Sequence, residues 1–351
     1  MHPAVPNSSP KAISILEGLG CIDTLCFGSE CGELSVLQHI AQLLLSESDT
    51  YSHMLQDALK KGHSFPAARH QALEKLTGDA SVSQILSEPN NILGIEYLKA
   101  LKKQNSRMVP YTLKRDSSGY HDTKLQPQSS SASAIRNALR HWEEQPFSRY
   151  PADPQQTPDG FSELLQNQLP ENALRLLRDA WNQSCPIETN DFSLLLKYRL
   201  LCETRRSLCE YQDISEDLAN RIIRNRNQFL NFEQFCQLLK TKELTYSRIS
   251  RGLLHILLAV KKEDMLRYRE SSCIYTRILG FRKEHADVLR QIKENASIPV
   301  ITKLGQTDSL LPETIRMLDQ TTFASDLYES VVSDKFGIPF INEYQKQIIH
   351  V

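Results

Sequence analysis

The chain has 351 residues, 41 Lys and Arg against 42 Asp and Glu, and a formal net charge of −1 at pH 7. That balance excludes a uniformly basic nucleic-acid binder, and 40% hydrophobic with 24% charged residues is the composition of a globular chain long enough for two domains. No apolar run of about 18 residues marks a membrane span, and the start MHPAVPNSSPKAISIL lacks the basic and apolar regions of a secretory signal. The expectation is a cytoplasmic protein.

The first elements read as α/β. KAISILEGLG (11–20) is a helix stopped by glycine, and IDTLCF (22–27) is a short strand followed by the turn Gly28-Ser29-Glu30. Residues 33–76 read as helical, first the apolar VLQHIAQLLL and then the amphipathic KGHSFPAARHQALEKL. Ser87–Asn91 is a loop, and ILGIEYLKALKKQN (92–105) a helix whose last turn is rich in lysine. RMVPYTLKR (107–115) reads as an edge strand, because Pro110 has no N–H to give to an interior ladder. A polar loop then leads to the helix SASAIRNALRHW (131–142).

Pro146, Pro151, Pro154 and Pro158 set the domain boundary. The expected organisation is a nucleotide-binding part over 1–145, a linker over 146–158 and a helical domain over 159–351. Almost everything beyond the linker reads as helix, including DFSLLLKYRLL, ISEDLANRIIRNR, NFEQFCQLL and YSRISRGLLHILLAV. IPVITKL (298–304) is a candidate strand and PETIRMLDQTTFASDLYESVV (312–332) a closing helix.

Three segments have the composition of a nucleotide site. Gly28, just after a strand, lets backbone approach a ligand closely, although strand-ending glycines are common. Asn90 and Asn91 either cap the following helix or turn an amide, both donor and acceptor, toward a base or ribose. Ser129–Arg136 is either a serine-rich loop with an N-cap or a phosphate site. In the second case Ser131 and Ser133 lie at a helix start, with Arg136 in the first turn to stabilise developing phosphate charge. Between them lie Arg115, at a strand end, and His121, a candidate proton carrier in Gly119-Tyr120-His121-Asp122. No Walker loop, dinucleotide fingerprint or HExxH motif occurs.

Eight cysteines form no CxxC pair, and Cys21, Cys26 and Cys31, five apart, do not have zinc spacing, so reduced thiols without a metal are expected. Between Lys197 and Arg282 there are 17 Lys and Arg against 10 Asp and Glu, a local +7 that fits either solvated helix faces or a polyanion surface.

In order along the chain, FGSE, PNNILGIEYLKAL, TLKR, GYHD and SSASAIR resemble the tRNA(Met) cytidine acetate ligases, a nucleotidyltransferase-like family of the HIGH superfamily. FSLLLKYRLL, YSRISRGLLHILLAVKKED, RILGF and IPVITK extend the resemblance over nearly the whole chain. It implies an ATP-dependent ligase that uses Mg²⁺ and acetate to form acetyl-adenylate, then acetylates the N4 amine of the wobble cytidine of elongator tRNA(Met). It also implies a Rossmann-like nucleotidyltransferase domain followed by a helical tRNA-binding domain. The ATP pocket would include Gly28, Asn90 and Arg115, with Ser131, Ser133 and Arg136 near the phosphates. Arg248, Arg251, Lys261 and Lys262 are the candidate tRNA contacts.

One departure bears on activity. The family begins with a strand and a loop of the form EYNPFHNGH, whose histidines hold the ATP phosphates, and no HxGH occurs in these 351 residues. The Rossmann-like domain is therefore expected to be incomplete and ligase activity weak or absent. A non-catalytic tRNA-binding remnant and a nucleotidyltransferase acting on a small metabolite are the alternative readings.

Overall fold

The computed structural model describes residues 8–46, 49–63, 65–78, 80–115, 124–126, 130–143, 164–165, 167–270, 275–305, 307 and 310–351. By their contacts the described residues fall into two units, one up to Arg178 together with Asp287–Ile298, the other Asp179–Ala286 with Pro299–Val351. The proline-rich segment 146–158 and the GYHD segment lie outside the described residues.

The first unit opens with helix α1 (Ser8–Gly18), strand β1 (Thr24–Ser29) and helix α2 (Leu34–Ser46). Three shorter helices follow, α3 (Asp49–Lys60), α4 (Phe65–Thr77) and α5 (Ala80–Ser87), then α6 (Pro89–Lys103), strand β2 (Val109–Lys114) and α7 (Ala132–Glu143). β1 and β2 pair in parallel, Thr24 opposite Val109 and Ser29 opposite Lys114. Pro110 therefore sits in a strand with a single partner among the described residues, as its missing N–H implied. Such a parallel pair needs a crossover, and α6 is its last part, returning the chain from the end of β1 to the start of β2.

The inward face of this sheet is apolar and closed. Phe27 packs with Leu37, Ile40, Leu44, Ile95 and Leu98. Helix α6 comes unusually near β1 because of Gly94, where a Cβ would lie 2.4 Å from Phe27 Cε2. The outward face is different. Cys26, Gly28, Val109, Tyr111 and Leu113 are exposed and alternate with positions that are buried in β1, Phe27 and Ser29, and half-buried in β2, Pro110 and Thr112. Parallel sheets are ordinarily covered on both faces.

The second unit is almost wholly helical, as the sequence implied. Helix α8 (Glu171–Ala180) lies at the division, followed by α9 (Ser193–Cys202), α10 (Arg205–Leu208), α11 (Glu216–Asn225), α12 (Phe232–Leu239), α13 (Tyr246–Leu257) and α14 (Lys262–Glu270). Side-chain caps start several of them: Ser215 Oγ accepts from Leu218 N, Asn231 Oδ1 from Gln234 N and Thr245 Oγ1 from Arg248 N. Their core joins Leu196, Leu200, Leu218, Ile222, Phe232, Phe235, Leu253 and Ile256.

Two-residue strands follow: β3 (Thr276–Arg277) and β4 (Gly280–Phe281), then, after helix α15 (Ala286–Asn295), β5 (Val300–Ile301). Helix α16 (Pro312–Phe336) and β6 (Ile349–His350) end the chain. β3 pairs with β5 and β4 with β6. The candidate strand in IPVITKL thus contributes only Val300 and Ile301. The segment between belongs to the first unit, where Ser297 N donates to Gly18 O at 2.8 Å. No helix among the described residues is long and apolar enough to cross a membrane.

Candidate nucleotide site

The carboxyl ends of β1 and β2 form the most organised polar corner of the first unit. Ser29 is fully buried at the end of β1. Its Oγ lies 2.6 Å from Thr112 Oγ1 on β2 and accepts from Gly32 N at 3.1 Å, which folds the turn back on the strand. The next residue, Glu30, reaches the start of α6. Its Oε2 accepts from Asn91 N at 2.8 Å, and its Oε1 from Asn90 N at 3.3 Å and Asn90 Nδ2 at 2.7 Å.

This arrangement changes the reading of the PNN segment. Neither asparagine caps α6; the cap is supplied by Glu30, sixty residues earlier, and its charge suits the positive end of the helix. The α6 N-terminus is thereby occupied and is not an anion site. Asn91 is buried as a tie, its Oδ1 accepting from Cys31 N and its Nδ2 donating to Ile85 O. Asn90 gives one of its two amide N–H groups to Glu30, so it can still offer a ligand the acceptor Oδ1 and the second N–H.

Arg115 lies across Gly28. Its backbone N donates to Ser29 O at 2.9 Å, and a Cβ on Gly28 would meet Arg115 Cγ at 3.2 Å. The side chain is exposed, and no carboxylate pairs with it among the described residues. Gly28, Asn90 and Arg115 are thus brought to one strand-end corner: bare backbone, an amide oxygen and a permanent cation. Chemically, the corner suits an anion at Arg115 and a hydroxyl or amine donor at Asn90.

The remaining nucleotide candidates belong to α7. Ser131 Oγ accepts from Ala134 N at 3.0 Å and is the N-cap of that helix. Ser133 is half-buried in the first turn, whereas Arg136 is exposed in the second turn and not in the first as the sequence suggested, because the helix starts only at Ala132. Ser130 N donates to Gln168 Oε1 at 2.9 Å, anchoring the approach to α7. Among the described residues no cluster of three or more His, Cys, Asp or Glu is arranged to hold a metal ion.

Three of the four candidate tRNA cations are already engaged. Arg251 Nε donates to Asp213 Oδ2 at 2.5 Å, and Lys261 Nζ to Glu210 Oε2 at 2.9 Å. Lys262 Nζ donates to the carbonyls of Cys209 and Ile214 at 2.7 and 2.8 Å. Burial pushes the Asp213 carboxyl up, but the Arg251 hydrogen bond and the charges of Arg251, His255 and Arg248 outweigh it and hold the pKa below its ordinary value. These cations fasten the segment 209–214 to α13 and α14, so the local positive charge overstates the cation free to meet a polyanion.

The chain matches the family model of the HIGH nucleotidyl transferases over residues 8–338. A tRNA(Met) cytidine acetate ligase of Caldanaerobacter subterraneus subsp. tengcongensis is 36% identical over 323 residues, covering 92% of this chain and 75% of the relative. One of Clostridium acetobutylicum is 36% identical over 303 residues, covering 84% and 70%. The crystal structure of apo Thermotoga maritima TmcAL superposes with a TM-score of 0.82 at 25% identity, over 98% of this chain and 80% of that one. A second TmcAL structure, solved with alpha-thio ATP, gives a TM-score of 0.80 at 24% identity. With its helical architecture and short parallel strands matching that fold, this chain belongs to the HIGH nucleotidyl transferase family, among relatives named tRNA(Met) cytidine acetate ligase.

Proposed function

We propose that the chain takes part in ATP-dependent acetylation of the wobble cytidine of elongator tRNA(Met). An acetate oxygen attacks the α-phosphorus of ATP and pyrophosphate leaves; the cytidine N4 amine then attacks the acetyl carbon, AMP leaves and the amine loses a proton. The observation that carries the reading is the corner of Gly28, Asn90 and Arg115 in a chain with this family membership. Arg115 stabilises charge at the α-phosphate, Gly28 admits the nucleotide against backbone, and Asn90 Oδ1 accepts from a ribose hydroxyl or base amine. Ser131, Ser133 and Arg136 serve the outer phosphates, where Mg²⁺ would enter with the nucleotide. A cytoplasmic location follows from a tRNA substrate.

The exposed outer face of β1 and β2 supports reading them as part of an incomplete Rossmann-like sheet. Residues 1–145 then form the ATP-binding part and 159–351 the tRNA-facing part. No HxGH occurs in the 351 residues, which cover 75% of the length of the Caldanaerobacter relative. The separate helical core of the second unit favours, as second reading, a chain that binds tRNA without catalysis.

Two measurements test this. Titration with ATP should show binding that Arg115→Gln weakens by about 10- to 150-fold, the range for a lost charge-assisted hydrogen bond, without lowering the melting temperature. Transfer of labelled acetate to tRNA(Met) then separates ligase from remnant. Wild-type ATP affinity in Arg115→Gln would remove the corner from the nucleotide site.

A further inference from the structure

Helix α9 buries one apolar stripe and exposes another. Leu196 and Leu200 are sealed in the helical core, as the inward face of an amphipathic helix should be. The outward positions are Leu194, Lys197, Tyr198 and Leu201, at i, i+3, i+4 and i+7, so all four share a face. Leu194 is 78% exposed, Tyr198 68% and Leu201 59%. A contiguous exposed patch of large apolar side chains marks an interaction surface more often than chance.

The surface is held firmly from behind. At the carboxyl end of α9, buried Glu203 accepts from Tyr211 OH at 2.6 Å and pairs with Arg199 at 3.3 Å. Arg226 Nη1 donates to Glu203 O at 3.2 Å, and Phe232 N donates to Ser193 Oγ at 2.9 Å at the other end. The segment 226–232 therefore runs alongside α9 from its end to its start, and it carries Leu230, 77% exposed.

Charge selects the occupant. Between Ser193 and Arg206 the cations are Lys197, Arg199, Arg205 and Arg206; Arg199 pairs with buried Glu203 and Arg205 with Glu216 at 3.5 Å, which leaves Lys197 and Arg206 without a salt bridge among the described residues. Lys197 makes no hydrogen bond or ion pair among the described residues. A second copy docked across a two-fold axis would bring two Lys197 ammonium groups together with no acid between them. An unpaired RNA segment meets no such cost: bases stack on an aromatic ring and pack on leucine, while phosphates meet lysine and arginine.

We propose that the Leu194–Lys197–Tyr198–Leu201 face of α9 is a stacking platform for unpaired bases of the tRNA substrate, an inference that rests on the tRNA reading above. The test is binding of a tRNA(Met) transcript, and of a fully paired RNA duplex, to the 351-residue chain at two salt concentrations. Tyr198→Ala should weaken transcript binding by about 5- to 150-fold and leave duplex binding unchanged. Tyr198→Phe should keep the affinity, and Lys197→Gln should lower the salt slope by about one. Both positions are exposed, so thermal unfolding should be unaltered in each variant. If the wild-type chain binds the transcript and Tyr198→Ala binds it equally, the platform is refuted while the tRNA reading survives. If the wild-type chain binds no tRNA even at low salt, the tRNA reading and the platform fall together. Self-association that Tyr198→Ala abolishes, with RNA binding intact, would assign the face to a second copy and overturn the proposal.

Discussion

Glu30 Oε1 accepts a 2.7 Å hydrogen bond from Asn90 Nδ2, while the same carboxylate takes the first backbone N–H groups of α6. One side chain thus closes the turn after β1, caps a helix and fixes which end of an amide faces outward. Glu30→Gln tests the clamp. Glutamine has one acceptor oxygen where the carboxylate has two, and its NH₂ group would face the N–H of Asn90 or Asn91. The expected loss is about 1–2 kcal/mol in urea unfolding, the usual size of a lost cap. Unchanged stability would mean that Ser29, Thr112 and Asn91 hold the turn without the carboxylate.

Gly94→Ala probes the packing beneath the same corner. The added methyl would lie 2.4 Å from Phe27 Cε2, and Phe27 is buried in the core with Tyr97 beside it. Either α6 shifts outward or the ring turns, at a cost of about 1–3 kcal/mol. Phe27→Leu in the same chain should recover part of that loss, because the two positions compete for one space. Additive losses in the double variant would place the strain elsewhere.

What the sequence made legible divides along physical lines. The strand IDTLCF, the single-partner strand around Pro110 and the run of second-unit helices were readable because each depends on neighbours within a few residues. Glu30 as the cap of α6 was not, since its partners lie sixty residues away and no local pattern encodes that contact. Separations of 38 and 51 residues likewise hid the partners of Arg251 and Lys261, so their clustering was visible but their neutralisation by Asp213 and Glu210 was not. FSLLLKYRLL is apolar on two stripes, and periodicity alone does not say which one is buried. The paired strands near residues 276–301 and 280–350 have two residues each, too short for any alternation to register.

The two carbonyls held by Lys262 predict a structural role for that residue, separate from any RNA contact. Lys262→Met keeps the aliphatic stem and removes the three donors. The expected cost is about 1 kcal/mol in unfolding, with looser protection of the amides around Cys209–Ile214 in hydrogen exchange. Lys242→Met, at an exposed lysine whose side chain makes no hydrogen bond or salt bridge among the described residues, should leave both readouts unchanged. Equal effects from the two variants would show that Lys262 does not fasten the segment.

Acid stability offers a test at the end of the chain. Glu343 is buried and receives Arg277 at 2.7 Å and Lys346 at 3.2 Å, with the Ser325 hydroxyl also donating to it. Burial pushes its carboxyl up, but the hydrogen bonds from Ser325, Arg277 and Lys346 outweigh burial and hold the pKa below its ordinary value of 4.5. A group with a depressed folded pKa is protonated first in the unfolded chain. Its contribution is complete above the unfolded value and disappears as pH falls from there through the folded value. Glu343→Gln should therefore cost about 1.5–3 kcal/mol at pH 7, the range for hydrogen bonds to a charged group. The difference between wild type and variant should then shrink as pH falls below about 4.5, because wild type loses stability that the variant never had. Chemical denaturation of both proteins from pH 7 to pH 3 measures this directly, and a constant difference across that range would show that the Glu343 charge contributes nothing to holding the carboxyl-terminal segment.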